Sequence, residues 1–189
     1  KLLSVEQGRQ RMLDTISAVD AFQQVHLSAA LDRVLAETVV SAINVPPFDN
    51  SSMDGYALRS ADCVGAGDCC LTVIGNCFAG EPFNGELGPG QCVRIMTGAK
   101  MPVGADAVLM QERVERDADT IRFSAQPAAG ENVRYAAEDT RRGDTVLTPG
   151  TRLGAAEIGL LASVGISEVK VRRPLHAVFF STGDELTSL

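Results

Sequence analysis

Apolar positions near the start of the chain recur at helical spacing. Val5, Met12, Ile16 and Val19 follow Ser4, and Ser4 with Gln7 three residues later forms a capping-box pattern that predicts a helix start. Val25-His26-Leu27 is a short apolar patch, after which Ser28 reads as the N-cap of a second helix with Leu31, Val34 and Leu35 on one face. Val39-Val40 through Val45 reads as extended and is stopped by Pro46-Pro47. From Phe48 to Gly143 helical periodicity disappears. Short β-prone runs (Leu71–Ile74, Cys92–Met96, Ala107–Gln111 and Thr120–Phe123) alternate with punctuation such as Gly80-Glu81-Pro82 and Gly88-Pro89-Gly90. Thr145–Leu147 resumes as a strand and Pro149-Gly150 as a turn. Ala155–Ala162 reads as a helix with Ile158, Leu161 and Ala162 inward, ended by Gly165, and Glu168–Val171 as another strand.

The last segment has a different pattern. Ala177-Val178-Phe179-Phe180 is a continuous apolar run, which suits a strand buried on both faces. Ser181-Thr182-Gly183-Asp184-Glu185 follows it as the loop of a parallel strand-to-helix unit would, yet such a unit needs roughly 30 residues and only residues 174–189 are present. The pattern therefore predicts an α+β protein. A discontinuous mixed α/β domain (1–45 and 144–173) would be interrupted by an inserted β-rich, barrel-like domain (46–143), and 174–189 would be the truncated start of an α/β domain.

The 189 residues are 45% apolar and 22% charged, the balance of a soluble globular protein. No apolar run is long enough to span a membrane, and no basic n-region with an apolar h-region opens the chain. The net charge of −7 argues against general binding to nucleic acid or a membrane surface. Only two histidines, His26 and His176, are available for chemistry. The five cysteines, Cys63, Cys69, Cys70, Cys77 and Cys92, contain no C-x-x-C pair and are odd in number, which points to reduced, small apolar side chains in a cytosolic protein.

Four polar clusters remain. In Asp49-Asn50-Ser51-Ser52-Met53-Asp54, five of six side chains carry oxygen. Such a run either holds a hydrated cation or satisfies its own backbone through Asx and Ser turns, and Met53 breaks the pattern of a calcium loop. Arg94-Ile95-Met96-Thr97-Gly98-Ala99-Lys100 ends a strand in a hydroxyl and a glycine, either an anion nest beside Thr97 and Lys100 or a plain turn. Gly130-Glu131-Asn132-Val133-Arg134 with Glu138-Asp139 is either a solvated loop or a place where Arg134 clamps a phosphate and Asp139 approaches a metal or a substrate donor. In the fourth cluster Ser181, Thr182, Gly183, Asp184 and Glu185 fall at a strand's carboxyl end, where ligands bind in open α/β sheets.

Taken in order, PPFDNSSMDGYA (46–57), RIMTGAKMPVGADAV (94–108), the GENVR, AED and GD pieces of 130–144, and STGDEL (181–186) resemble the molybdopterin molybdenumtransferase family. That family comprises the bacterial MoeA-type proteins, to which the gephyrin E domain is similar. The resemblance implies a mixed α/β first domain interrupted by a β-rich second one, followed by a molybdopterin-binding α/β domain. It implies a homodimer whose cleft joins the third domain of one subunit to the second domain of its partner. The implied reaction inserts molybdate into adenylylated molybdopterin with Mg²⁺ and releases AMP. Asp54, Thr97, Asp139 and Glu185 would be the catalytic positions, with Asp54 and Glu185 holding Mg²⁺. Thr97 would donate to an oxyanion, and Arg134, Ser181, Thr182, Gly183 and Asp184 would contact substrate. A divalent ion would also offset the repulsion between a −7 chain and an anionic substrate. An upstream molybdopterin adenylyltransferase is a further implied partner. The family's later Gly-Gly-Val-Ser and Pro-Gly-Lys-Pro type segments are absent, so the chain is expected to be inactive alone. A non-catalytic dimerising or peptide-binding scaffold of the gephyrin type is the alternative.

Overall fold

The computed structural model describes residues 3–63, 65, 67–178, 180 and 183. Among them two helices and twelve strands occur. They are α1 (Val5–Thr15), β1 (Phe22–His26), β2 (Val39–Val40), β3 (Asn50–Ser51), β4 (Gly55–Leu58), β5 (Cys69–Cys77), β6 (Gln91–Ile95), β7 (Ala107–Met110), β8 (Glu115–Asp117), β9 (Thr120–Phe123), β10 (Val133–Arg134), β11 (Thr145–Leu147), α2 (Ala155–Ser163) and β12 (Glu168–Arg172). They fall into two compact units: Lys1–Val39 with Thr145–Leu189, and Val40–Asp144. The chain passes between the units twice, within β2 and just before β11, and these two strands pair with each other. Among the described residues no helix is long and apolar enough to cross a membrane.

In the first unit, α1 begins as the capping box predicts. The Gln7 N–H donates to the Ser4 hydroxyl at 3.2 Å and the Ser4 N–H to Gln7 Oε1 at 3.1 Å. The helix closes at Thr15, short of Ile16 and Val19, and none of its residues is buried. The core lies instead between the β1–β12 antiparallel ladder and α2, with Leu27, Ala30, Leu35, Val39, Leu153, Leu161, Val169 and Val171 at its centre. Gly165 ends α2 at φ +79°, as expected, with its N–H on the Ala162 carbonyl. Leu161 is buried and Ile158 packs beside the core, but Ala162 faces solvent, contrary to the inward position predicted for it.

The second helix predicted from Ser28 does not form. Leu27–Ala29 is a single 3₁₀ turn, and the His26 ring, rather than a serine cap, accepts the Ser28 N–H. Asp32 then sits at φ +63°. Its N–H donates to Leu153, that of Leu35 to Thr151 and that of Ala36 to Lys170. Cross-chain carbonyls thus take the donors that a helix would have used, and tertiary pairing overrides local propensity. The extended reading of 39–45 likewise holds only for β2, because the Ser41 hydroxyl donates to the Ile43 carbonyl and turns the chain. The strand predicted at Ala177–Phe180 is absent where the segment is described. Ala177 and Val178 have no ladder partner, and Val178 and Phe180 are more than four-fifths exposed. A two-sided apolar strand needs elements on both faces to cover it, and here nothing among the described residues does.

The second unit is built on a six-stranded mixed sheet in the order β7-β4-β6-β5-β9-β8, a half-barrel whose edges are β7 and β8. Only the β5–β6 pair is parallel. Alternation along the central strands feeds two cores. Tyr56, Leu58, Cys92, Ala107 and Leu109 face one side with Leu71, Ile121 and Phe123. Ala57, Val93, Ile95 and Val108 face the other with Cys77, Leu87 and Ala99. Burial on both faces explains why Gly55–Leu58 and Ala107–Met110 read as unbroken apolar runs. At Gly55 there is no room for a side chain, since a Cβ would stand 2.1 Å from the Leu109 carbonyl oxygen on the neighbouring strand.

Candidate functional site

Pairing of β4 with β6 sets Gly55 opposite Ile95, which brings the residue before β4 to the turn after β6. Asp54 and Thr97 meet there. Asp54 Oδ1 accepts from the Thr97 N–H at 2.8 Å and from its hydroxyl at 2.7 Å. The turn is shaped by Gly98 at φ +80°, and the Ala99 N–H closes it on the Met96 carbonyl at 3.0 Å. The Gly98 N–H donates to the Ser51 carbonyl at 2.8 Å. The three donors that suggested an anion nest are thus engaged by the chain itself, and the oxyanion at Thr97 is the Asp54 carboxylate. Among the described residues no donor reaches Asp54 Oδ2, which leaves one carboxylate oxygen for chemistry.

The Thr97 backbone N–H, then its hydroxyl, hold the Asp54 carboxyl below the ordinary carboxylate range, with a smaller contribution from Arg94; the partial burial of Asp54 opposes them. Because the folded value is depressed, the stability contributed by this pair is complete above the unfolded value near ~3.9 and is lost as pH falls through the folded value. Thr97→Val removes the hydroxyl and keeps the N–H. It is expected to move the Asp54 midpoint part of the way up toward an ordinary aspartate in a carbon-detected NMR titration, whereas an unchanged midpoint would mean the hydroxyl is not bonded in solution.

Arg94 braces this corner, a role its motif did not disclose. Its Nη1 donates to the Gly55 carbonyl at 2.7 Å, its Nη2 bonds the Gln111 side chain, and its guanidinium stacks 5.2 Å above the Tyr56 ring. The available signal was a charged residue in an otherwise apolar strand, half-buried between the buried Val93 and Ile95. The Gln111 N–H in turn donates to the Asp54 carbonyl at 3.1 Å.

The oxygen-rich run resolves toward the turn reading. Asn50 Nδ2 donates to the Phe48 carbonyl, the Ser51 hydroxyl to Met53 and the Ser52 hydroxyl to Asn132. Asp49 Oδ1 accepts the Ala136 N–H at 2.7 Å and ties this segment to the loop that carries Asp139. The short strand β3 lies between the two halves of the site. Asn50 and Ser51 pair with Arg134 and Val133 of β10, while Asn50 also bridges to Lys100 and the Ser51 N–H bonds Ala99. β3 is thus flanked by the segment that follows the Thr97 turn on one side and by the Arg134 strand on the other. Arg134 Nη2 meets both Asp139 oxygens, at 2.8 and 2.7 Å, and its Nε lies 3.7 Å from Glu138. The Asp139 bond and charge, with Glu138 adding to them, raise the guanidinium's pKa further. Asp54 with Thr97 and Arg134 with Asp139 are therefore two preformed pairs, joined through β3 and its neighbours. Gly183 is the one member of the 181–185 cluster among the described residues; Ser181, Thr182, Asp184 and Glu185 lie outside them.

The MoeA N-terminal region (domain I and II) matches residues 3–165, and the chain belongs to that family. It is 44% identical over 189 residues to a molybdopterin molybdenumtransferase of Haemophilus influenzae, covering 100% of this chain and 46% of that protein. It is 41% identical over 168 residues to one from Nostoc sp., covering 87% and 38%. A solved molybdopterin biosynthesis MoeA protein of Pyrococcus horikoshii OT3 superposes with a TM-score of 0.84 at 36% identity, over 91% of this chain and 46% of that one. The chain thus spans less than half the length of the relatives it matches.

Proposed function

We propose that this chain forms part of the site of a molybdopterin molybdenumtransferase that acts in molybdenum cofactor biosynthesis in the cytoplasm. In this reading molybdate is inserted into adenylylated molybdopterin and AMP is released. The observation that carries the reading is the Asp54 carboxylate, whose Oδ1 accepts both Thr97 donors and whose ionised form they favour, with no donor on Oδ2 among the described residues. Magnesium is the cofactor that suits such a group, because Mg²⁺ is bound through one or two carboxylates and keeps several waters beside substrate phosphates. Asp54, with Glu185 as the second carboxylate, would hold it. When bound, the ion neutralises charge on the phosphate and the oxyanion.

The chain's own residues do the rest. Thr97 fixes the orientation of the Asp54 carboxylate and favours its ionised form. Arg134, fixed by Asp139, presents its remaining N–H groups to an anionic substrate oxygen. Ser181, Thr182, Gly183 and Asp184 complete the substrate contacts, and a second subunit closes the cleft. Purified intact protein is expected to release AMP from adenylylated molybdopterin only when both molybdate and Mg²⁺ are supplied. Glu185→Gln is expected to lower that rate about 100-fold, the scale lost when one transition-state electrostatic contact is removed. A protein that dimerises yet releases no AMP under these conditions would instead support the scaffold reading. That reading draws on α1, whose Val5 is 91% and Met12 64% exposed and which thus offers an uncovered apolar face for association.

A further inference from the structure

Cysteine placement in the second unit is not explained by the reading above. Cys92 is fully enclosed in one core, Cys77 donates from the other to the Lys100 carbonyl, and Cys70 is exposed on β5. Cys63 and Cys69 differ from these. Cys63 ends the 3₁₀ turn Ser60–Cys63, Cys69 begins β5, and their sulfurs stand 2.9 Å apart as free thiols. Between them Gly65 at φ +127° and Gly67 at φ +150° adopt backbone that only glycine takes readily. The Gln126 side chain holds that segment through the Gly65 carbonyl.

We infer that Cys63 and Cys69 form a thiol–disulfide site that reacts with low-molecular-weight disulfides of the glutathione type. The sulfurs need to approach by only about 0.9 Å to reach a bond of ~2.05 Å. Access fixes the order of events. Cys69 is half-buried and meets solvent, whereas Cys63 is 6% exposed, and burial pushes its thiol up to about 12. The Cys69 thiolate attacks one sulfur of the small disulfide, forms a mixed disulfide and releases one thiolate. Cys63 then gives up its proton and attacks the Cys69 sulfur, which expels the second thiolate. Two protein thiols are oxidised, one small disulfide is reduced to two thiols, and the two protons leave with them. The product ties the 3₁₀ turn to β5 beneath Tyr56 and Leu71.

Incubation of the reduced chain with oxidised glutathione, followed by cleavage on the amino side of aspartates, tests this directly, because Asp68 lies between the two cysteines. The expected product is a disulfide-linked pair of peptides beginning at Asp62 and Asp68, with no glutathione retained on it and three thiols left of five. Cys70→Ser is expected to keep the link. Cys63→Ser is expected to strand one glutathione stably on Cys69. The oxidised chain is expected to melt several degrees higher and to revert with dithiothreitol. If Cys70 becomes fully glutathionylated while Cys63 and Cys69 stay reduced, or if the link runs from Cys63 to Cys70, the inference is overturned.

Discussion

Asp54→Asn is expected to lower molybdate insertion by the intact protein at least ~100-fold while leaving its melting temperature almost unchanged. The substitution is close to isosteric. The asparagine carbonyl can still accept from the Thr97 N–H and hydroxyl now at 2.8 and 2.7 Å, so the corner between β4 and β6 keeps its geometry. What disappears is the negative charge on the outward oxygen. In the proposed site that charge would help hold a divalent cation, which a neutral amide does far less well. The paired measurements separate the explanations. A large loss of rate with intact folding assigns the effect to charge, whereas near-normal AMP release would remove Asp54 from the chemistry and leave it as a turn residue.

Gly55→Ala is expected to destabilise the second unit by about 3 kcal/mol, a fall of roughly 12–24 °C in the thermal transition of a unit of this size. The added methyl would sit 2.1 Å from the Leu109 oxygen and 2.9 Å from its carbon, and those atoms belong to a backbone paired along β4 and β7. No side-chain rotation relieves that contact, so the ladder itself must move. Gly98→Ala is the informative comparison. A Cβ there meets nothing within 4 Å, and the cost of about 1 kcal/mol comes only from φ +80°. A Gly55 variant as stable as wild type would mean that the β4–β7 spacing is looser than the geometry here.

The central strands were legible in the sequence for a simple reason. β5, β6, β7 and β9 each contain a β-branched or apolar run, and β6 lies between Gly88-Pro89-Gly90 and Gly98, so local chemistry and tertiary pairing agree. The Ser4 cap and the Gly165 stop were legible on the same grounds, because the capping atoms lie within a few residues of one another. Residues 28–35 were not. Their helical spacing is real, but the donors of Asp32, Leu35 and Ala36 go to carbonyls of residues 151–153 and 170, which no local window contains. Ala162 failed for another reason: a small side chain marks the edge of a helical face as readily as its centre.

The site divides in the same way. The motifs marked Asp54, Thr97, Arg134 and Asp139, but their spacing was silent on which pairs form. A turn rich in N–H donors reads as a receptor for an external anion until the fold delivers a carboxylate to it from position 54. For Arg134 the spacing was silent on Asp139, whose two oxygens share one guanidinium nitrogen and leave the others for an anion. The Asp54–Thr97 pair is set by the long-range register of β4 on β6, whereas Arg134 and Asp139 lie five residues apart in one loop and meet only because that loop turns back.

The return of the chain to its first unit also bears on how the protein is made. Phe22 of β1 finds its partner in Arg172 of β12, after the whole second unit has been synthesised. At roughly 5–20 residues per second on the ribosome, the nascent β1 waits roughly 8–30 s with its edge unpaired. In that interval residues 40–144 can collapse on their own, while β1 stays without its ladder partner until β12 has been made.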